Sequence, residues 1–396
     1  MKKLPLGIQT FRDIIEDGYI YVDKTRHVYD LINGGKYYFL SRPRRFGKSL
    51  LLDTIAEAFS GDKELFKGLW IYDSDHEFIK HPTLRFDMSN IANDTPENLI
   101  TSLSLSLNNR IRKEGFDINS KIPSDAFQYL IEALHDKYKQ RVVILIDEYD
   151  KPLLDHIDDL ETAEANRRVL RSFYGVLKSM DPNLRLTFIT GVSKFSKTSI
   201  FSGLNNLMDI TMTEDYADIC GIAVDDLDVY FGEHISSLSA LDKFKKHGSL
   251  HDGILSWYDG YSWDGASKLL NPFSLLSFLK QKRFSGFWYS TGSPKFLVDM
   301  IKKDPSVYTN MKNMKITESM LDMVDIDEID AELLMFQTGY LTVKEVLHTQ
   351  DECVYVLDLP NTEVRAALNF HMRKAEAFRQ SAGGGDEADK RQGLRR

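Results

Sequence analysis

The chain has 396 residues, 42% of them hydrophobic and 28% charged, with a formal net charge of −9. Apolar content of that size excludes a wholly disordered chain, and with only two cysteines and 11 prolines the protein is neither a disulfide scaffold nor a collagen. A net-acidic chain is not built to coat phosphate backbones, so any nucleic-acid contact needs a local basic patch. At roughly 150 residues per domain the length allows two to three domains.

Cys220 and Cys353 sit in no metal or redox spacing and read as two free, buried thiols of a reducing compartment. Met1, Lys2 and Lys3 are followed by no apolar stretch before Arg12 and Asp13. No apolar run approaches the roughly 20 residues that a spanning helix needs, so a cytoplasmic location away from the membrane is expected.

In chain order, residues 1–30 form a lead-in, and a buried strand is expected over Lys36–Leu40 after Asn33-Gly34-Gly35. The string SRPRRFGKS follows, then a helix whose Leu51, Leu52, Ile55 and Phe59 have helical spacing and which stops at Ser60-Gly61. Thr83–Phe86 reads as a second strand. Asn98–Ile111 is a helix candidate weakened by its repeated Ser and Asn. Arg141–Ile146 is a continuous apolar run of the kind found in a parallel sheet covered on both faces. A long helix is expected over Glu161–Met180, with further strands over Leu184–Thr190 and Leu207–Met212. This alternation predicts an α/β core over 31–215 with a parallel sheet. Helices and aromatic turns over 216–315 read as a helical, lid-like domain. Helices and then a strand pair (GYLTVKEV, CVYVLDL) over 316–370 read as a winged helix. The last stretch, 371–396, is almost without apolar residues and reads as a disordered or aberrant tail.

Chemistry concentrates at two strand ends. Gly47-Lys48-Ser49, between a strand and a helix, has the parts of a phosphate-binding loop: a backbone free to approach phosphate, a cation for the β and γ phosphates, and a hydroxyl for Mg²⁺. The segment Arg44, Arg45, Phe46, Gly47, Lys48, Ser49 and Leu50 is therefore expected to bind the nucleotide. The first glycine of the usual pattern is replaced by Arg42, and Pro43 removes an amide. Arg44 and Arg45 either contact phosphate oxygens in compensation or join Arg42 in a solvated or nucleic-acid-facing patch. Asp147 and Glu148 end the apolar strand Ile144-Leu145-Ile146, where buried carboxylates need a partner or a metal. Asp147 is the expected second Mg²⁺ ligand beside Ser49, and Glu148 the expected general base. Thr190 ends the next strand and either senses the γ-phosphate or positions water, or simply caps the strand. His76, His81 and His156 lack ligand spacing and read as surface residues.

The strings GIQTFRDIIEDGYIYVDKT, SRPRRFGKSLLLDTI, VVILIDEYDKP, ITGVSKFSKTSIFSGLNNL, YDGYSW, NPFSLLSFL, GYLTV and LPNTEVR resemble the bacterial and archaeal AAA-ATPase-like family, often joined to a PD-(D/E)XK nuclease-like domain. The resemblance runs from about residue 6 to 368. It implies a P-loop NTPase core of the additional-strand type related to signalling STAND ATPases, ATP binding through Lys48 and Ser49, and Walker B roles for Asp147 and Glu148. The family itself carries arginine at the position of Arg42. No strand-borne Asp…Glu-x-Lys set follows Arg365, so nuclease activity is not expected of this chain.

The expectation is thus an ATP-binding and ATP-hydrolysing switch protein that uses Mg-ATP to drive domain movement, with oligomerisation left open. The alternative is a non-enzymatic module in which the winged helix binds nucleic acid or protein and nucleotide is structural. No guanine-reading Asn/Thr-Lys-x-Asp string appears, which favours ATP over GTP.

Overall fold

A computed structural model of the chain describes residues 1–194, 200, 201, 204–245, 249–290, 314–322, 331–350, 352–370 and 373. The expected tail therefore lies, apart from residue 373, outside the described residues. So does residue 195–199 of the segment after Thr190.

Two short helices, α1 (Phe11–Glu16) and α2 (Thr25–Gly34), lead into strand β1 (Tyr37–Ser41), which is buried throughout. Helix α3 (Lys48–Ala58), strand β2 (Thr83–Asp87), helices α4 (Pro96–Lys113) and α5 (Pro123–Tyr138), and strand β3 (Val142–Asp147) follow. Helices α6 (Lys151–Leu154) and α7 (Leu160–Ser179) then lead to strand β4 (Leu184–Gly191) and the two-residue strand β5 (Met208–Asp209). The five strands are parallel in the order β2-β3-β4-β1-β5. The strand inserted between β1 and β3 is β4, which is the additional strand expected of this P-loop class.

Alternation along the strands divides the core. Tyr38, Leu40, Val143 and Leu145 pack with α1, α2 and α3 on one face, while Tyr37, Phe39, Ile144 and Ile146 pack with α4, α5 and α7 on the other. Both faces are covered, as the unbroken apolar run of β3 requires. The weak intrinsic propensity of α4 is overridden by its buried stripe Leu99, Leu103, Leu107 and Ile111, and by Thr95, whose hydroxyl caps the Asn98 amide. Helix α5, to which the sequence reading assigned no element, presents Phe127, Leu130, Ile131 and Leu134 to the same face. Strand β5 is shorter than the expected Leu207–Met212, because only Met208 and Asp209 pair with β1.

Beyond residue 216, helices Asp226–Ser239, Leu250–Tyr258 and Pro272–Gln281 enclose a separate aromatic-rich cluster around Phe231, Tyr258 and Phe278. Strands β8 (Met314–Thr317), β9 (Thr342–His348) and β10 (Cys353–Asp358) form an antiparallel sheet in the order β8-β10-β9; β6 and β7 are a two-residue pair at Ile222–Ala223 and Leu269–Leu270. Helix Ala331–Gln337 precedes β9, and a helix over 362–370 follows β10. The apolar side of this last sheet is continuous with the α3 face of the core, through Phe46, Trp288 and Tyr340.

Several side chains lie elsewhere than expected. Cys353 is half-exposed, whereas Cys220 is buried; both thiols are free. His76, His81 and His156 are half-buried, and each places a ring nitrogen on a backbone carbonyl (Ala58, Arg141 and Asn93). Arg42 is fully buried. It continues the inward alternation of Tyr38 and Leu40, and its guanidinium donates to the carbonyls of Ser41, Thr211, Tyr216 and Ala217 while lying 4.0 Å over the Trp263 ring. Burial lowers its pKa to about 10, so it remains charged at neutral pH. The expected patch of Arg42, Arg44 and Arg45 therefore loses its first member, which staples β1 to the 211–217 turn. Arg42→Met should cost about 3 kcal/mol or more, because it leaves buried carbonyls unpaired; a loss below 1 kcal/mol in denaturant unfolding would contradict the stapling role.

Candidate functional site

The site forms where β1 and β3 end side by side with β4 between them. After Ser41 the chain turns through 42–47 and enters α3 at Lys48. Gly47 caps the helix with φ +99°, a left-handed conformation that strains any residue with a Cβ. Arg45 is also left-handed, at φ +65°. The loop thus presents the N-terminal amides of an 11-residue helix, a ready anion site.

Ser49 Oγ donates to Asp147 Oδ2 at 2.6 Å, joining the two motif residues directly. The other oxygen, Asp147 Oδ1, accepts the Glu148 amide at 3.0 Å. Lys48 is buried and donates to the carbonyls of Arg42 and Pro43 at 3.0 and 3.1 Å, with Glu148 Oε1 at 3.7 Å. Burial pushes the Asp147 carboxyl above its ordinary range, Lys48 and the Ser49 hydroxyl pull it back, and the charges of Glu148 and Asp87 push it up again. Asp87 is its register partner on β2. Hard oxygen donors 2.6 Å apart amid surplus negative charge suit a divalent cation such as Mg²⁺. The residues present fit that group.

Glu148 has φ +51°, a backbone state that costs on the order of 1–3 kcal/mol in a residue with a Cβ. Its neighbours hold it there: the Tyr149 amide donates to the Thr190 carbonyl and the Lys151 amide to the Glu148 carbonyl. Asp150 is the second brace. Fully buried, it accepts the Val192 amide, the Ser193 amide and the Ser193 hydroxyl, the last two at 2.6 Å. Burial and the charge of Glu148 raise its carboxyl pKa. Asp150 thereby ties the end of β4 to the turn that carries Glu148.

These residues border a cavity of about 760 Å³. Its walls include Arg44, Arg45, Gly47, Lys48, Ser49, Leu50, Asp147 and Glu148. Phe46 is absent from the wall: its ring is buried edge-on against Tyr261 and Trp263, so only its backbone belongs to the loop. Thr190 is also absent. Its hydroxyl is buried and donates to the Leu40 carbonyl at 2.8 Å. The wall at that strand end is Val192.

Sequence reasoning missed the rest of the cavity. The segment Pro5–Gln9 lines it, with Phe273 and Leu276 from one helix, and Trp288, Leu334 and Thr338 from farther along the chain. The guanidinium of Arg45 lies 5.1 Å over the Phe273 ring. Most of these groups are apolar, and the polar ones on the wall (Asp87, Ser89, Lys151, Asp155 and Asp158) stand in no motif spacing. Asp150, which braces the site from outside the cavity, is an acid beside an apolar strand and carries a legible signal.

The family described as "Predicted AAA-ATPase" matches residues 5–201. An uncharacterised protein of the vnfD 5′ region of Azotobacter chroococcum mcd 1 is 40% identical over 369 residues, covering 93% of this chain and 69% of that protein. Among solved structures, the Aeropyrum pernix ORC2 protein (ADPNP–ADP complexes) aligns over 93% of this chain and 99% of its own, at 11% identity and a TM-score of 0.31, a similarity too low to carry an argument. Among the described residues no helix is long and apolar enough to cross a membrane.

Thr190→Val separates the two readings of that residue. It should cost about 1–2 kcal/mol in unfolding through the lost buried hydrogen bond, with Mg-ATP affinity unchanged; a selective loss of turnover without loss of stability would restore the sensor role.

Proposed function

Since the chain belongs to the predicted AAA-ATPase family, we propose that its cavity binds Mg-ATP and that the protein hydrolyses it to ADP and phosphate, using the nucleotide state to move its parts. The observation that carries this reading is the 2.6 Å contact between Ser49 and Asp147, with Lys48 and Glu148 beside it at the mouth of one cavity.

In this account the amides of α3 and the Lys48 ammonium receive the β and γ phosphates, Lys48 exchanging its two loop carbonyls for phosphate oxygens. Ser49 and Asp147 would hold Mg²⁺, which when bound neutralises charge on the phosphate oxygens. Glu148 orients a water molecule towards the γ-phosphorus and takes its proton on a carboxylate oxygen. The Arg44 and Arg45 side chains lie exposed at the cavity edge, where their guanidinium forks can reach phosphate. The apolar groups of Pro5–Gln9 and Phe273 then suit a base, and the absence of a guanine-reading string favours adenine.

We assign the unit built on β8, β9 and β10 as a winged helix and as the surface for a protein or nucleic-acid partner. The strand order β8-β10-β9, with Glu318–Asp322 and Ala331–Gln337 between the first and second strands, supports that assignment. The burial of Arg42 weakens the purely nucleic-acid-binding alternative, since the basic patch is reduced to Arg44 and Arg45.

Two variants test the proposal. Lys48→Ala should weaken Mg-ATP by about 10- to 100-fold, the value of lost charge-assisted hydrogen bonds. Glu148→Gln should bind Mg-ATP as the wild type does and lose about 100-fold or more in turnover. Titration calorimetry and a phosphate-release assay read the two effects. Unchanged affinity in Lys48→Ala would overturn the binding site, and full turnover in Glu148→Gln would overturn the base.

A further inference from the structure

In a usual phosphate loop the backbone is held by its own glycines and amides. Here Arg42 is drawn into the interior and Pro43 has no N–H, so the middle of the loop needs a support from outside. Trp288, in the short helix Phe287–Ser290, provides one. Its indole Nε1–H donates to the Arg44 carbonyl at 3.1 Å. Its ring is buried on the cavity wall, with centroids 5.2 Å from Tyr340 and 6.5 Å from Tyr261. Gly339 closes the same contact: it has φ +89°, and a Cβ there would meet Pro43 at 2.8 Å and the Trp288 ring at 3.4 Å.

The other end of Trp288 is tied to the C-terminal helix over 362–370. Its backbone amide donates to Glu363 Oε1 at 2.8 Å. Glu363 is fully buried, with the Ser274 hydroxyl and the Trp288 and Phe287 amides acting on its carboxyl. Burial pushes this carboxyl up to about 7. A buried acid that accepts the Trp288 amide couples that residue to the helix bearing the acid.

We infer that Trp288 is a positioning residue for the phosphate loop, and that the series Arg44 carbonyl, Trp288 and Glu363 carries nucleotide occupancy from the loop to the C-terminal helix. The inference rests on the Mg-ATP reading of the cavity. Filling the loop with phosphate shifts the Arg44 carbonyl, the indole follows its acceptor, and the amide end of the same residue displaces Glu363 and the helix that bears it.

The test uses the full chain and Mg-ATP. Trp288→Phe keeps the aromatic packing and removes the indole donor. Its Mg-ATP affinity should fall by about five- to tenfold, the value of one hydrogen bond. The Mg-ATP-induced change in tryptophan emission of the wild type should vanish in this variant and persist in Trp257→Phe, whose ring stacks on Phe284 away from the cavity. A purely structural role would lower the unfolding temperature and leave the Mg-ATP affinity at the wild-type value. Wild-type affinity and an intact emission change in Trp288→Phe would overturn the inference while leaving the ATP site standing. No Mg-ATP binding by the wild type would overturn both. Should Trp288→Phe fail to fold, amide exchange in the wild type decides: slower exchange of 362–370 on Mg-ATP addition supports the link, and unchanged exchange overturns it.

Discussion

The hydrogen bond from Ser49 to Asp147 joins side chains 98 residues apart in the chain, and the architecture around it serves to make that meeting possible. β1 delivers one residue and β3 the other. Because β4 is inserted between them, the two strand ends are separated by one strand width and their loops converge above it. The carboxyl of Asp147 sits at the end of six buried residues, where an isolated charge would be costly. Ser49, Lys48 and the Glu148 amide relieve that cost. The same concentration of charge makes the place suited to phosphate and a divalent cation. Stability and chemistry are therefore in tension at this point, and the fold resolves it with braces outside the cavity.

Three such braces are visible. Arg42 anchors the start of the loop to the 211–217 turn. Asp150 anchors the end of β4 to the turn that carries Glu148. Trp288 supports the middle of the loop from the helical region. Each brace is a buried polar group with a specific set of partners, which places the loop and the end of β3 in one geometry. The Gln337 side chain adds a fourth connection, accepting the Lys194 amide at 3.0 Å from the helix that precedes β9. Core, helical region and C-terminal sheet thus all touch the segments that border the cavity.

Much of this was legible in the residues. An aromatic strand before Gly47-Lys48-Ser49 and an unbroken apolar run before Asp147-Glu148 each combine a periodicity with a chemistry, and both strands lie where expected. The reading of Thr190 divides between two roles because a threonine ending a strand suits both, and its hydroxyl is engaged with the Leu40 carbonyl. Arg42 was grouped with Arg44 and Arg45 by proximity in sequence, because a strand buried on both faces offers no alternation by which to place the residue after it. The Pro5–Gln9 segment, Phe273 and Trp288 were beyond reach, because long-range apolar contacts leave no local pattern. Helix α5 escaped notice for another reason: it has no side-chain N-cap, only Pro123 and Asp125 marking its start, and it follows a polar stretch that reads as loop.

The most direct measurement of the central claim is the Mg²⁺ dependence of ATP binding in the wild type beside Asp147→Asn. If Ser49 and Asp147 together hold the cation, Mg²⁺ strengthens ATP binding in the wild type and fails to do so in the variant, while the variant still binds ATP through the loop. Equal strengthening in both proteins, or no ATP binding by the wild type at all, would contradict the account.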